Sequence, residues 1–250
     1  MNQKMTPVSN VSKPPSKLAQ WLSRASGMMW LRTVKIVAGI LLVVLLTFYS
    51  AAVLFTDQGG FTVSIKDSGK GNTQSGAISL SETADFASPT VRLEAQDVAG
   101  MTNISGLDIP VDVDNYDGAH NGENYMAYTF YLKNSGEAAC NVLTELRIDG
   151  VVKAADEAVR VKVYKNGIPT TYAKLAADGT PEPGTTPFEG GKKVLSELSE
   201  NLAAGETTKY TIVIWLEGND PECLDNIKGG SVKMSLMFSV VEDTETQSET

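Results

Sequence analysis

The chain has 250 residues, with 21 basic and 30 acidic side chains, two cysteines and a single histidine. A formal net charge of −9 argues against a nucleic-acid partner, whose phosphates select a basic surface. Two cysteines and one histidine are too few for a zinc ribbon, and a histidine-based triad or metal site would have to be built on His120 alone.

The charge is unevenly placed. Six basic residues (Lys4, Lys13, Lys17, Arg24, Arg32 and Lys35) precede Asp57, and no acidic residue does. The other 15 basic residues face all 30 acidic ones, so residues 57–250 carry −15. Between the two parts, Ile36 to Phe55 runs 20 residues without a charge. A helix of that length spans roughly 30 Å, the thickness of a bilayer's hydrocarbon core. The basic flank predicts a cytoplasmic N-terminus and a translocated acidic body. Ser50 and Ala52 also suit a signal-peptidase cut after Ala52, but the basic region before the apolar run is longer than signal peptides carry, so an uncleaved anchor is favoured.

In chain order, residues 1–35 form a basic cytoplasmic segment. Its first 17 residues are polar with three prolines, a composition that does not bury a core. Leu18, Trp21, Leu22, Ala25 and Met29 then recur at helical spacing, which predicts a short interfacial helix with Trp21 and Trp30 as anchors. Residues 36–55 are the expected transmembrane helix. Residues 56–75, rich in Gly, Asp and Ser, read as a stalk in which Phe61–Ile65 offers a first strand.

Residues 76–241 are patterned for strands. Apolar residues alternate with polar ones at Val91 and Leu93, at Met126, Tyr128, Phe130 and Leu132, and at Val142, Leu146 and Ile148. The same period recurs at Val159, Val161 and Val163, at Tyr210, Ile212, Ile214 and Leu216, and from Val232 to Val240. Period 2 with one polar side predicts half-buried antiparallel strands. Turns are signalled at Asn134-Ser135-Gly136, Asp178-Gly179 and Gly229-Gly230, and hairpins at Asp149-Gly150 and Asn166-Gly167. The expected fold is mainly β, an antiparallel β-sandwich or jelly roll preceded by one transmembrane helix. Residues 173–191 read as an exposed excursion, 194–202 as a strand or a helical turn, and 242–250 as a disordered acidic tail.

The densest candidate ligand set is the acidic loop. Asp112, Asp114, Asp117 and Glu123 are hard oxygen donors of the kind calcium takes, with Asp108 close by. Asp112, Asp114 and Glu123 match positions 1, 3 and 12 of an EF-hand loop, but Tyr116 stands at position 5 and Gly118 one place late, so an EF-hand is excluded. No nucleophile-elbow, H-E-x-x-H or P-loop pattern occurs, and no catalytic residue is assigned. Cys140 and Cys223 each follow a strand pattern in a turn-rich segment, and an extracytoplasmic body permits a disulfide between them.

The segments FYLKNSGEAACNVLTELRIDG and LAAGETTKYTIVIWLEG, with Phe55-Thr56-Asp57 after the apolar run, resemble the TasA/camelysin-like surface and matrix proteins of Gram-positive bacteria. The resemblance covers residues 36–95, 124–150 and 200–240. It implies an N-terminal hydrophobic segment, a jelly-roll body and a role in surface or matrix structure. The long basic N-terminus, the cysteine pair and GNDPEC depart from the family's pattern. The expected function is therefore a membrane-anchored, extracytoplasmic structural or interaction protein acting through protein contacts or self-assembly. The alternative is a calcium- or glycan-binding module using residues 108–123.

Overall fold

A computed structural model describes residues 34–49, 60–66, 77–96, 98 and 100–241. The interfacial helix expected at 18–29, most of the stalk, the cut after Ala52 and the tail lie outside the described residues. The chain divides into two units, Met1–Thr56 and Asp57–Thr250. In the first, residues 34–49 are helical with exposed side chains. Among the described residues no helix is long and apolar enough to cross a membrane. Residues 50–55 of the expected span lie outside them.

The second unit is built from two sheets. One orders β10 (Lys193–Leu202), β6 (Cys140–Val152), β12 (Ser231–Val241), β1 (Gly60–Ile65) and β3 (Arg92–Ala95). The other orders β2 (Ile78–Ser81), β5 (Tyr125–Asn134), β11 (Thr207–Leu216), β7 (Val159–Lys165), β8 (Ile168–Ala173) and β9 (Thr186–Pro187). The two-residue β4 (Gly118–Ala119) also pairs with β5. The alternating residues face inward as their period requires. Phe130 and Tyr210 of the second sheet stack with ring centroids 5.6 Å apart. Phe238 of the first sheet lies 6.1 Å and 5.3 Å from them. Rings from both sheets thus meet in one core, which is what makes the pair a sandwich.

Several expectations are corrected. Within the expected stalk, the first strand offered at Phe61–Ile65 forms as β1: Phe61 and Val63 are buried in the core, and β1 lies between β12 and β3. β1 runs parallel to β12, and β8 parallel to β9, so the sheets are not wholly antiparallel. Asn166-Gly167 makes the expected two-residue hairpin, both residues at positive φ. Asp149-Gly150 does not turn the chain. β6 continues through it, and the pairing skips from Gly150↔Lys233 to Ile148↔Met234, so Asp149 is the extra residue of a bulge. The 194–202 segment is strand throughout.

The disulfide is also corrected. Cys140 and Cys223 are free thiols. Cys140 pairs with Leu202 at the end of the sandwich where β11 begins. Cys223 hydrogen-bonds through its N–H to Asp220, which contacts Arg160 opposite Trp215 near the other end of β11. Eight residue steps of about 3.3 Å separate those ends, far beyond the roughly 7 Å limit between bridged Cα atoms. Burial raises both thiol pKa values, that of Cys223 with help from the Asp220 charge, so neither favours the thiolate.

Two outcomes test this fold. Phe238→Ala should cost about 3–5 kcal/mol in urea unfolding, and a loss under about 1 kcal/mol would contradict an inter-sheet ring cluster. Alkylation under denaturing, non-reducing conditions should label both cysteines.

Candidate functional site

The acidic loop folds across the outer face of the second sheet. Ile109 and Val113 bury themselves there against Ala127, Val213 and Trp215. Val213 and Trp215 point away from the main core, so β11 is covered on both faces. A capping box starts the loop's first turn: Ser105 Oγ accepts from the Leu107 N–H, and Asp108 Oδ2 from the Ser105 N–H. A Cβ on Gly106 would stand 2.9 Å from the Trp215 ring, so only glycine lets the loop pass there. The residues between the buried ones turn outward: Leu107 is 94 % exposed and Val111 96 %.

The four predicted calcium ligands do not converge. The Asp112 carboxylate accepts from the Tyr116 hydroxyl at 3.3 Å and that of Asp117 from the Tyr131 hydroxyl at 2.6 Å. Burial and then that bond push the Tyr131 phenol up to about 12. The Asp114 carbonyl accepts from Lys209, and Glu123 is exposed. His120 is half-buried rather than a free surface ring. Its Nδ1 and Nε2 face the carbonyls of Gly118 at 2.9 Å and Val113 at 2.7 Å, which ties the loop to itself.

Among the described residues, the carboxylates close enough to hold a cation are Glu182, Asp220 and Glu222, whose ligand atoms lie within 4.8 Å of one another. They surround Arg160. On β7, Val159, Val161 and Val163 face the core, and Arg160 faces outward. It is nevertheless buried, because the loop after β8 and the loop after β11 close over it. Arg160 Nη2 lies 3.1 Å from Glu182 Oε2 and 2.6 Å from Asp220 Oδ2. The side chains of Arg160, Glu182 and Asp220 are 4 %, 8 % and 0 % exposed. A buried guanidinium cannot discard its proton, so it must be paired. Three carboxylates against one guanidinium leave two negative charges unmatched.

The neighbouring contacts fix these groups. Asp220 Oδ1 accepts from the Glu222 N–H at 2.8 Å, and Glu222 Oε1 accepts from the Ala177 N–H at 2.9 Å, joining the two loops. Glu217, one residue past β11, accepts from the Trp215 indole at 3.0 Å and the Gly106 N–H at 2.9 Å. Burial opposes its ionisation, but these donors outweigh burial and hold its pKa low. Burial, then the Asp220 charge, raises Glu182 against the opposing pull of Arg160. Burial, then contact with Glu222, raises Asp220, and the same contact lowers Glu222. Such split carboxylates mark a crowded acidic site.

Sequence reading missed this cluster. Arg160 looks like any polar residue in an alternating strand, Glu182 sits in an excursion, and Asp220 and Glu222 were read only as turn residues beside Cys223. The one local signal was a D-P-E segment directly after a strand.

No family model matches the chain, and no curated protein matches it. Among solved structures it is similar to a beta-glucosidase from Kluyveromyces marxianus in complex with glucose, at 12 % identity and a TM-score of 0.23, covering 69 % of this chain and 17 % of that one. It is likewise similar to the selenomethionine-labelled form of that enzyme, at 11 % identity and a TM-score of 0.24, covering 72 % and 18 %. The chain thus spans less than a fifth of either, and likeness at that level carries no inference about activity.

The cluster predicts a pH dependence in chelator-treated protein. Glu182 holds its proton more tightly folded than unfolded, so it costs stability as pH rises above the ordinary 4.5 and through its raised folded value. Glu182→Gln should therefore lose less stability than wild type between about pH 4.5 and 7 in denaturant titrations. A steeper loss in the variant would contradict the assignment.

Proposed function

We propose that the chain is a membrane-anchored, extracytoplasmic structural or interaction protein of a bacterial cell envelope or matrix, and not an enzyme. On this reading the body is a sandwich of jelly-roll type held outside the membrane by residues 36–55. The uncharged run, the basic flank before it and the −15 body support the anchor and its direction. The observation that carries the contact role is the pair Leu107 and Val111. A loop pinned by Ile109, Val113 and the Ser105–Asp108 capping box holds two aliphatic side chains almost wholly in water, and Tyr116 of the same loop is half-exposed. Apolar groups displayed this way on a fixed backbone suit contact with another protein.

The sheet edges are a weaker route to assembly. β3 carries the exposed Arg92–Glu94 pair, and β10 is interrupted by two register shifts against β6. Charges and bulges are how edges resist unwanted pairing.

The test is self-association of the full chain by sedimentation as concentration and salt are raised. Bodies of the same charge repel, so association through the apolar pair should strengthen as salt screens them. Leu107→Asp with Val111→Asp should abolish it. A chain that stays monomeric at every concentration and salt would overturn self-assembly. Protease added to intact cells should remove the body and spare residues 1–35, and protection of the body would overturn the orientation.

A further inference from the structure

The crowding around Arg160 leaves a defined electrostatic deficit. Asp220 Oδ2 belongs to a side chain with no exposure and, though ion-paired with Arg160 Nη2 at 2.6 Å, has no hydrogen-bond partner. Glu222 Oε2 is likewise shut from solvent and accepts none. Asp220 and Glu222 thus each keep a shielded oxygen without a hydrogen bond, and each brings a carboxylate oxygen within 4.8 Å of the other's. A buried acceptor without a donor costs free energy, and a pair of like charges costs more. Arg160 offsets one of the three negative charges, and a proton or a cation would offset the rest.

We propose that Glu182, Asp220 and Glu222 form a divalent-cation site joining the loop after β8 to the loop after β11. Oxygens that all lie within 4.8 Å of one another fit around one ion at the roughly 2.3–2.6 Å bond length of calcium. All the donors are hard oxygens, and the nearest thiol, Cys223, is biased toward its protonated form, so the site suits calcium or magnesium over zinc or copper. The ion matches the two unpaired negative charges and leaves Arg160 to its existing partners. It also bridges segments 40 positions apart in sequence, Glu182 and Glu222, already linked by the bond from Ala177 to Glu222. This inference is independent of the contact surface at Leu107 and Val111 and of the predicted ligands Asp112, Asp114, Asp117 and Glu123.

The experiment titrates calcium chloride into the chelator-treated full chain by calorimetry. Thermal unfolding is followed in parallel with calcium or magnesium chloride and with sodium chloride of equal ionic strength. Wild type should bind one calcium per chain and unfold roughly 5–10 °C higher at a hundredfold excess over Kd. Asp220→Asn should weaken binding at least tenfold. Should that variant not fold, Glu222→Gln, which alters a less buried side chain, carries the same expectation. Asp112→Asn with Asp114→Asn should bind as wild type does. The proposal is overturned if neither divalent ion raises the unfolding temperature beyond the sodium control, because a shared proton then suffices. It is overturned equally if calcium binding survives both Asp220→Asn and Glu222→Gln, or is lost in the Asp112/Asp114 variant instead.

Discussion

Strand β11 is buried on both faces, and the long connections of the body are arranged to keep it so. Tyr210 and Ile212 face the core between the sheets. Val213 and Trp215 face the other way and would meet water on a bare sandwich. The acidic loop exists as an ordered element because it removes those side chains from water, with Ile109 and Val113 as its inward residues. The same covering displays Leu107 and Val111: a loop lying flat on a sheet buries one set of side chains and presents the other.

At the end of β11 the constraint turns from apolar to ionic. Arg160 stands beside Trp215 in the register, on the face that the loops cover, and burial makes its charge a demand that carboxylates must meet. Glu182 and Asp220 meet it from two loops distant in sequence. Glu222 follows because Asp220 accepts from its backbone N–H, which brings a third carboxylate into the same space. One buried guanidinium thus explains the ordering of both loops and the excess negative charge between them. Glu217 completes the join. It binds the Gly106 N–H, and Ile104 pairs beside it, so the acidic loop and the carboxylate cluster share an anchor.

The parts of this fold that were legible in the sequence are those governed by period 2. Met126 to Leu132, Val159 to Val163 and Val232 to Val240 face the core as their alternation requires, and Asn166-Gly167 turns as its φ preferences require. Reading failed where a residue's environment is set by distant chain. The run TIVIWL was taken as one-faced because a polar outer side is the common case; its unbroken apolar character was the sign of a second cover. Asp149-Gly150 looks like a turn, but strand pairing with β12 absorbs it as a bulge. The two cysteines are alike in local context and opposite in position, which spacing along a chain does not reveal. The acidic loop advertised four carboxylates that diverge, while the three that converge come from segments with no common pattern.

With the proposed cation in place, the covering loops around Arg160 are held together through the carboxylates of Glu182, Asp220 and Glu222. Hydrogen exchange at the Ala177 and Glu222 amides reads this most directly, since both amides donate to carboxylates of the cluster. Adding calcium should slow both at least tenfold and leave the β5–β11 ladder unchanged. Amides that exchange at the same rate with and without calcium would contradict it.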